Sequence, residues 1–143
     1  MNITNVAITS AIAPNAIREC LRAFADANVP FIGLCQQLNE RKTGANPRQE
    51  FHIYQSDRGG DGVYVVLGVT AFRRNGIGVC WSLSMTASSD ELEICCAVEV
   101  DNEDEGCHAV FERQENTSSS SKAAEVIAKF TAEVCAQVDY FDE

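Results

Sequence analysis

Two histidines, His52 and His108, and seven cysteines, at positions 20, 35, 80, 95, 96, 107 and 135, are the side chains of this chain best suited to nucleophilic or metal chemistry. Nucleophilic catalysis needs a thiol or hydroxyl beside a base. Cys107 and His108 are neighbours in a stretch with strand periodicity, where successive side chains point to opposite faces, so they are not placed to meet. Cys95, Cys96, Cys107 and His108 have the chemistry of zinc ligands, but the same alternation parts Cys95 from Cys96 and no two cysteines are spaced C-x-x-C. The residues therefore predict neither a metal nor another cofactor. An odd number of cysteines, mostly at positions that read as buried, predicts free thiols acting as small hydrophobes in a reducing compartment.

The carboxylates and glycine turns give no sharper catalytic signal. Asp57 and Asp61 bracket the turn Arg58-Gly59-Gly60-Asp61-Gly62, which lies between predicted strands, so it lacks the helix N-terminus that a phosphate cradle uses. Asp101-Asn102-Glu103-Asp104-Glu105-Gly106 departs from the order of an EF-hand loop and is flanked by strands. Arg73-Arg74, beside Asn75-Gly76, reads as an exposed basic turn. One constellation could line a ligand pocket between helices and sheet: His52, Tyr54, Tyr64 and Trp81, with Cys80 beside them.

Charge is the stronger signal. The chain carries −10 at pH 7, and the excess is uneven. Residues 1–89 hold eight basic and six acidic side chains, a net of +2, whereas residues 90–143 hold three basic and fifteen acidic, a net of −12. Asp90, Glu91, Glu93, Glu99, Asp101, Glu103, Asp104 and Glu105 form its densest stretch. Such a stretch repels nucleic acid and anionic lipid, and it steers cationic partners. The N-terminus has no positive charge before its apolar residues, as a signal peptide would, and no apolar run reaches the roughly 18 residues of a membrane span. A cytoplasmic location is the expectation.

The elements that must position these groups follow from hydrophobic period. At 143 residues, with 45% hydrophobic and 22% charged side chains, the chain is expected to be one globular domain spanning residues 1–143. Ile17, Cys20, Leu21 and Phe24 predict an amphipathic helix from Pro14 to Ala27, with a break expected at Asn28 to Pro30. Phe31 to Lys42 could be a second helix or a short strand running into one. Beyond Asn46-Pro47 the period changes to two, with strands expected at Gln49 to Ser56, Val63 to Phe72, Gly76 to Thr86, Glu91 to Val100 and Cys107 to Arg113. The short, turn-like breaks between them, Asn75-Gly76 above all, predict an antiparallel meander. Ala123, Val126, Ile127, Phe130, Val134 and Val138 then predict a helix starting within Thr117 to Ser121 and reaching Asp139. The fold class expected is a two-layer α+β sandwich of one or two N-terminal helices, a five-stranded antiparallel meander and a C-terminal helix.

One sheet face is core. The other, with Tyr64, Val66, Gly68 and Thr70 on the second strand, is small and apolar at its centre and acidic toward the fourth strand. Such a face calls for a cover, from Phe31 to Lys42, from a second copy in a homodimer, or from a partner protein. With no catalytic motif, an enzyme is the less favoured reading. The leading one is an acidic protein-binding module, such as an immunity protein, inhibitor or chaperone, that masks a basic partner with Glu91, Glu93, Glu99, Asp101, Glu103, Asp104 and Glu105. In size, charge and α+β make-up the chain resembles small acidic secretion chaperones and toxin-immunity proteins, a likeness of composition that covers no specific motif. The alternative is a ligand-binding or enzymatic domain using the pocket of His52, Tyr54, Tyr64 and Trp81.

Overall fold

The computed structural model describes residues 14–41, 46–55, 62–88, 91–102 and 104–142. A long helix, α1 (Pro14–Glu40), precedes five strands, β1 (Arg48–Gln55), β2 (Val63–Phe72), β3 (Gly78–Ala87), β4 (Leu92–Asn102) and β5 (Gly106–Thr117). A second helix, α2 (Ser120–Cys135), and a 3-10 turn (Val138–Asp142) follow. The sheet runs in the order β1-β2-β3-β4-β5 with every neighbouring pair antiparallel, so the expected meander and α+β class are what the chain forms. The β2–β3 hairpin closes as its sequence dictates. Gly76 sits at φ +87°, a conformation open to glycine, and Arg73 N–H bonds the Ile77 carbonyl at 2.9 Å.

The expected break at Pro30 does not occur. α1 is continuous for 27 residues with Pro30 inside it. Proline forfeits the bond to the carbonyl four residues back and crowds it, at about 3 kcal/mol. Packing on the buried face outweighs that cost. Cys20, Phe24, Ala27, Phe31, Leu34 and Leu38 recur at alternating steps of four and three and are all buried, so the apolar stripe runs unbroken past Pro30, which points outward. The segment from Phe31 onward therefore belongs to the core layer and leaves the other sheet face alone.

Both helices lie on one side of the sheet, α1 against β2 and β1 and α2 against β3, β4 and β5, and they pack on each other. Between the layers sit Val65, Leu67, Val69 and Ala71 of β2, Val79, Trp81, Leu83, Met85 and Ala87 of β3, and Leu92, Ile94, Cys96 and Val98 of β4, all essentially fully buried. Trp81 is at the centre, donating its indole N–H to the Gln137 carbonyl at 2.9 Å and packing on Phe141. α2 starts on Ser119, whose hydroxyl accepts the Lys122 N–H, and it stops at Cys135, short of Asp139. The 3-10 turn that replaces its last turn buries Val138 and Phe141 and is tied down from two sides. Arg73 donates to the Phe141 carbonyl at 2.9 Å and to the Tyr140 carbonyl, and Arg41 pairs with Asp139 at 3.2 Å and with Asp142. Arg73 is thus a structural clamp, and only Arg74 of the basic pair is exposed. No described helix is long and apolar enough to cross a membrane.

Candidate functional site

Strand alternation sends every second residue of the sheet away from the helices, and no described element lies over that face. Register fixes its layout. Cross-strand rows are formed by His52, Val66, Ser84 and Cys95, by Glu50, Gly68, Ser82 and Ala97, and by Thr70, Cys80 and Glu99. The middle is small and half-buried, and an added side chain at Gly68 would press on the Trp81 carbonyl at 3.2 Å. At one corner the ring of Phe72 lies over Gly78, whose missing side chain makes the room, and Phe72 stays 47% exposed beside Asp101. A shallow depression of about 240 Å³ is lined by Tyr64, Ser82, Ser84, Ala97, Glu99 and Glu112.

Carboxylates rim this face. Glu93, Glu99 and Asp101 stand on β4, Glu112 on β5 opposite Ala97, and Glu50 on β1 opposite Gly68. Arg48, at the start of β1, is the sole described Lys or Arg on the same face. None of the five carboxylates is ion-paired with a described Lys or Arg, and Glu50 has only His52, at 3.5 Å. The face is therefore a negative field around a small, uncharged centre, with Arg48 as its one described Lys or Arg.

The thiols on it respond to that field. Cys107 donates to Glu99 at 3.3 Å and Cys95 to Glu93 at 3.8 Å. The bond to Glu99 pushes the Cys107 thiol up, burial and the Glu93 carboxylate push up Cys95, and burial pushes up Cys80. A hydrogen bond with Thr70 pulls Cys80 part-way back, and Glu99 and Glu50 add to its rise. Nucleophilic cysteines need the opposite shift, toward thiolate. These thiols are protonated, weakly polar floor for the face, and all seven cysteines of the chain are free.

No protein-family model, curated protein or solved structure matches the chain.

The sequence-predicted residues divide between the two faces. His52, Tyr64 and Cys80 share the open face, and Tyr54 pairs with Tyr64 in the β1–β2 register, its side chain lying outside what the structure describes. Trp81 is on the opposite face in the core, because it follows Cys80 directly on β3, so the four do not line one pocket. Of the acidic stretch, Glu93, Glu99 and Asp101 share the open face. Glu91 precedes β4, Asp104 and Glu105 are exposed in the β4–β5 turn, and Asp90 and Glu103 lie outside the described residues, as do Asp57 and the glycine turn from Arg58 to Asp61. Cys95 and Cys107 are on the open face, whereas Cys96 is buried on the other. Among the described residues no group of three His, Cys, Asp or Glu is placed to hold a metal ion.

Glu50 and Glu112 complete the rim and were not singled out from sequence. Glu50 could have been found by its two-residue offset from His52. Glu112 could not, because a bulge between Val98 and Glu99 in the β4–β5 register leaves Val110 as the extra residue and reverses the alternation of β5 beyond it.

Proposed function

We propose that the chain is a protein-binding module that docks a basic partner on the open face of its sheet, in the manner of an inhibitor, immunity protein or chaperone. The observation that carries this reading is the rim of Glu50, Glu93, Glu99, Asp101 and Glu112, unpaired with any described Lys or Arg, around a half-buried centre of Tyr64, Val66, Ser82, Ser84 and Ala97. An uncharged centre inside a charged rim is the layout of a protein interface, and a shared sign of charge gives it electrostatic selectivity and fast association. Phe72, exposed beside Asp101, supplies an aromatic anchor of the type that dominates binding energy. The free thiols fit a reducing, cytoplasmic setting. A ligand pocket between helices and sheet is less well supported, because Trp81, Leu83 and Met85, which face that layer, are fully buried in the core.

The test is a salt series on the partner retained by the tagged chain. At near-physiological ionic strength charges are screened over about 8 Å, and at 1 M over about 3 Å. A partner docked on this rim has a high isoelectric point and dissociates progressively across that range. Retention that is indifferent to salt, or a retained partner that is acidic, overturns the proposal.

A further inference from the structure

The two edges of the sheet are built differently. β5 is guarded: it carries the bulge opposite Val98 and Glu99, and Glu112, Arg113 and Glu115 stand along it within four residues. Bulges and charges of this kind stop an edge strand from recruiting another strand. β1 has neither over its second half. Its register with β2 is regular from Arg48 to Gln55, and from Phe51 to Gln55 it holds no Lys, Arg, Asp, Glu or Pro. No described residue pairs with its outer edge. On the helix side of that edge Phe51 is 43% and Ile53 50% exposed, although their alternation with Gln49 marks them as core-facing, because α1 covers only part of β1. Phe51 meets the Phe24 ring edge-on at 6.4 Å and leaves the rest of its surface open.

We infer that β1 is a homodimerisation edge, pairing antiparallel with β1 of a second copy about a two-fold axis at Phe51 to give a continuous ten-stranded sheet. In that register each copy's uncharged half, from Phe51 to Gln55, lies along residues 47–51 of the other, with Gln49 opposite Ile53 and Arg48 opposite Tyr54. Phe51 faces Phe51 of the other copy on the helix side, and Ile53 lies beside them. On the open face each Glu50 falls opposite the other copy's His52, repeating the contact the two residues already make at 3.5 Å within one strand. Charge favours this arrangement over stacking of the open faces, which would set five carboxylates against five. Joined at β1, the two β4 strands are seven strand spacings apart. At about 4.8 Å per spacing that is about 34 Å, four screening lengths, so the β4 carboxylates of the two copies hardly repel, and the two Glu50 side chains that meet at the seam each face a His52. This inference does not rest on the acidic-face reading, and it leaves both open faces free.

Sedimentation of the full chain tests it. The mass should rise with concentration from 15.6 kDa toward twice that value. Ile53→Lys places a charge on a half-exposed edge position and should weaken association at least about tenfold while the far-UV spectrum is unchanged. Should that variant misfold, cross-linking decides. In a Cys107→Ser background, Phe51→Cys puts two thiols directly opposite, with β-carbons about 4.5–5.5 Å apart. It should form a covalent dimer under a mild oxidant, and Ala109→Cys, on the guarded edge, should not. A wild-type mass of 15.6 kDa at every concentration, or cross-linking at residue 109 in place of 51, overturns the inference.

Discussion

Replacing Pro30 with alanine should stabilise this protein. Within α1 the ring of Pro30 denies the Asp26 carbonyl its helical hydrogen bond and crowds it, a cost of about 3 kcal/mol relative to alanine. Part of that is returned by the stiffening of the unfolded chain, about 0.4–1 kcal/mol, so Pro30→Ala should gain about 2 kcal/mol. With an unfolding entropy of about 2.1 cal/mol/K per residue, the full chain has about 0.3 kcal/mol/K, and Tm should rise by about 7 °C. Gly33→Ala, in the same helix with open space where its new methyl would lie, calibrates the measurement at about 1 kcal/mol, or about 3 °C. Thermal melts followed by circular dichroism read both. A rise for Gly33→Ala with no rise, or a fall, for Pro30→Ala would show that the helix is broken at Pro30 and that Phe31, Leu34 and Leu38 reach the core by another path.

Other consequences follow from specific contacts. Arg73→Ala removes charged hydrogen bonds to the Tyr140 and Phe141 carbonyls and should cost about 2 kcal/mol in urea unfolding, whereas Arg74→Ala, on the exposed turn, should cost less than about 0.5 kcal/mol. Burial first, with added repulsion from Glu19 for Cys20, from Glu133 for Cys96 and from Cys96 for Cys135, pushes these thiols up to about 11, 12 and 12. The unfolded chain loses those protons first, so stability should fall as pH rises from 9.0 toward about 12, and melting temperatures that hold steady over that window would contradict the assignment. Cys107 is exposed yet held toward the thiol form by Glu99, so at mildly alkaline pH Glu99→Gln should speed its alkylation. An unchanged rate would mean that the contact with Glu99 does not control the thiol.

Much of the fold could be read from period alone, because each element has one buried face and local turn chemistry that agrees with it. Val63–Phe72 alternates strictly, Asn75-Gly76 closes a hairpin, and Ala123 to Val134 repeats at helical spacing, so local and tertiary preferences coincide there. They conflict at Pro30, where a strong local breaker is overruled by Phe31, Leu34 and Leu38, whose burial sequence reading could not weigh. Arg73 reads from sequence as an exposed turn residue for a related reason: its partners are carbonyls 67 and 68 residues away, and no local pattern marks them. The candidate site was half legible. Strict alternation put Glu93, Glu99 and Asp101 on one face with Val66 and Gly68, and the same rule, applied between Cys80 and Trp81, separates Trp81 from His52. What alternation could not supply was the bulge in β5, which brings Glu112 to the same open face as Cys107, five residues before it.

The reading of the open face as a docking surface is tested most directly by comparing two charge-matched variants for retention of the partner. One neutralises Glu93, Glu99, Asp101 and Glu112 on that face, and the other neutralises Glu40, Asp104, Glu115 and Glu125, which lie off it. Both remove the same net charge. Docking on the rim predicts that the first variant loses the partner and the second keeps it. Equal loss in both would show that only net charge matters, and full retention by the first would contradict the site itself.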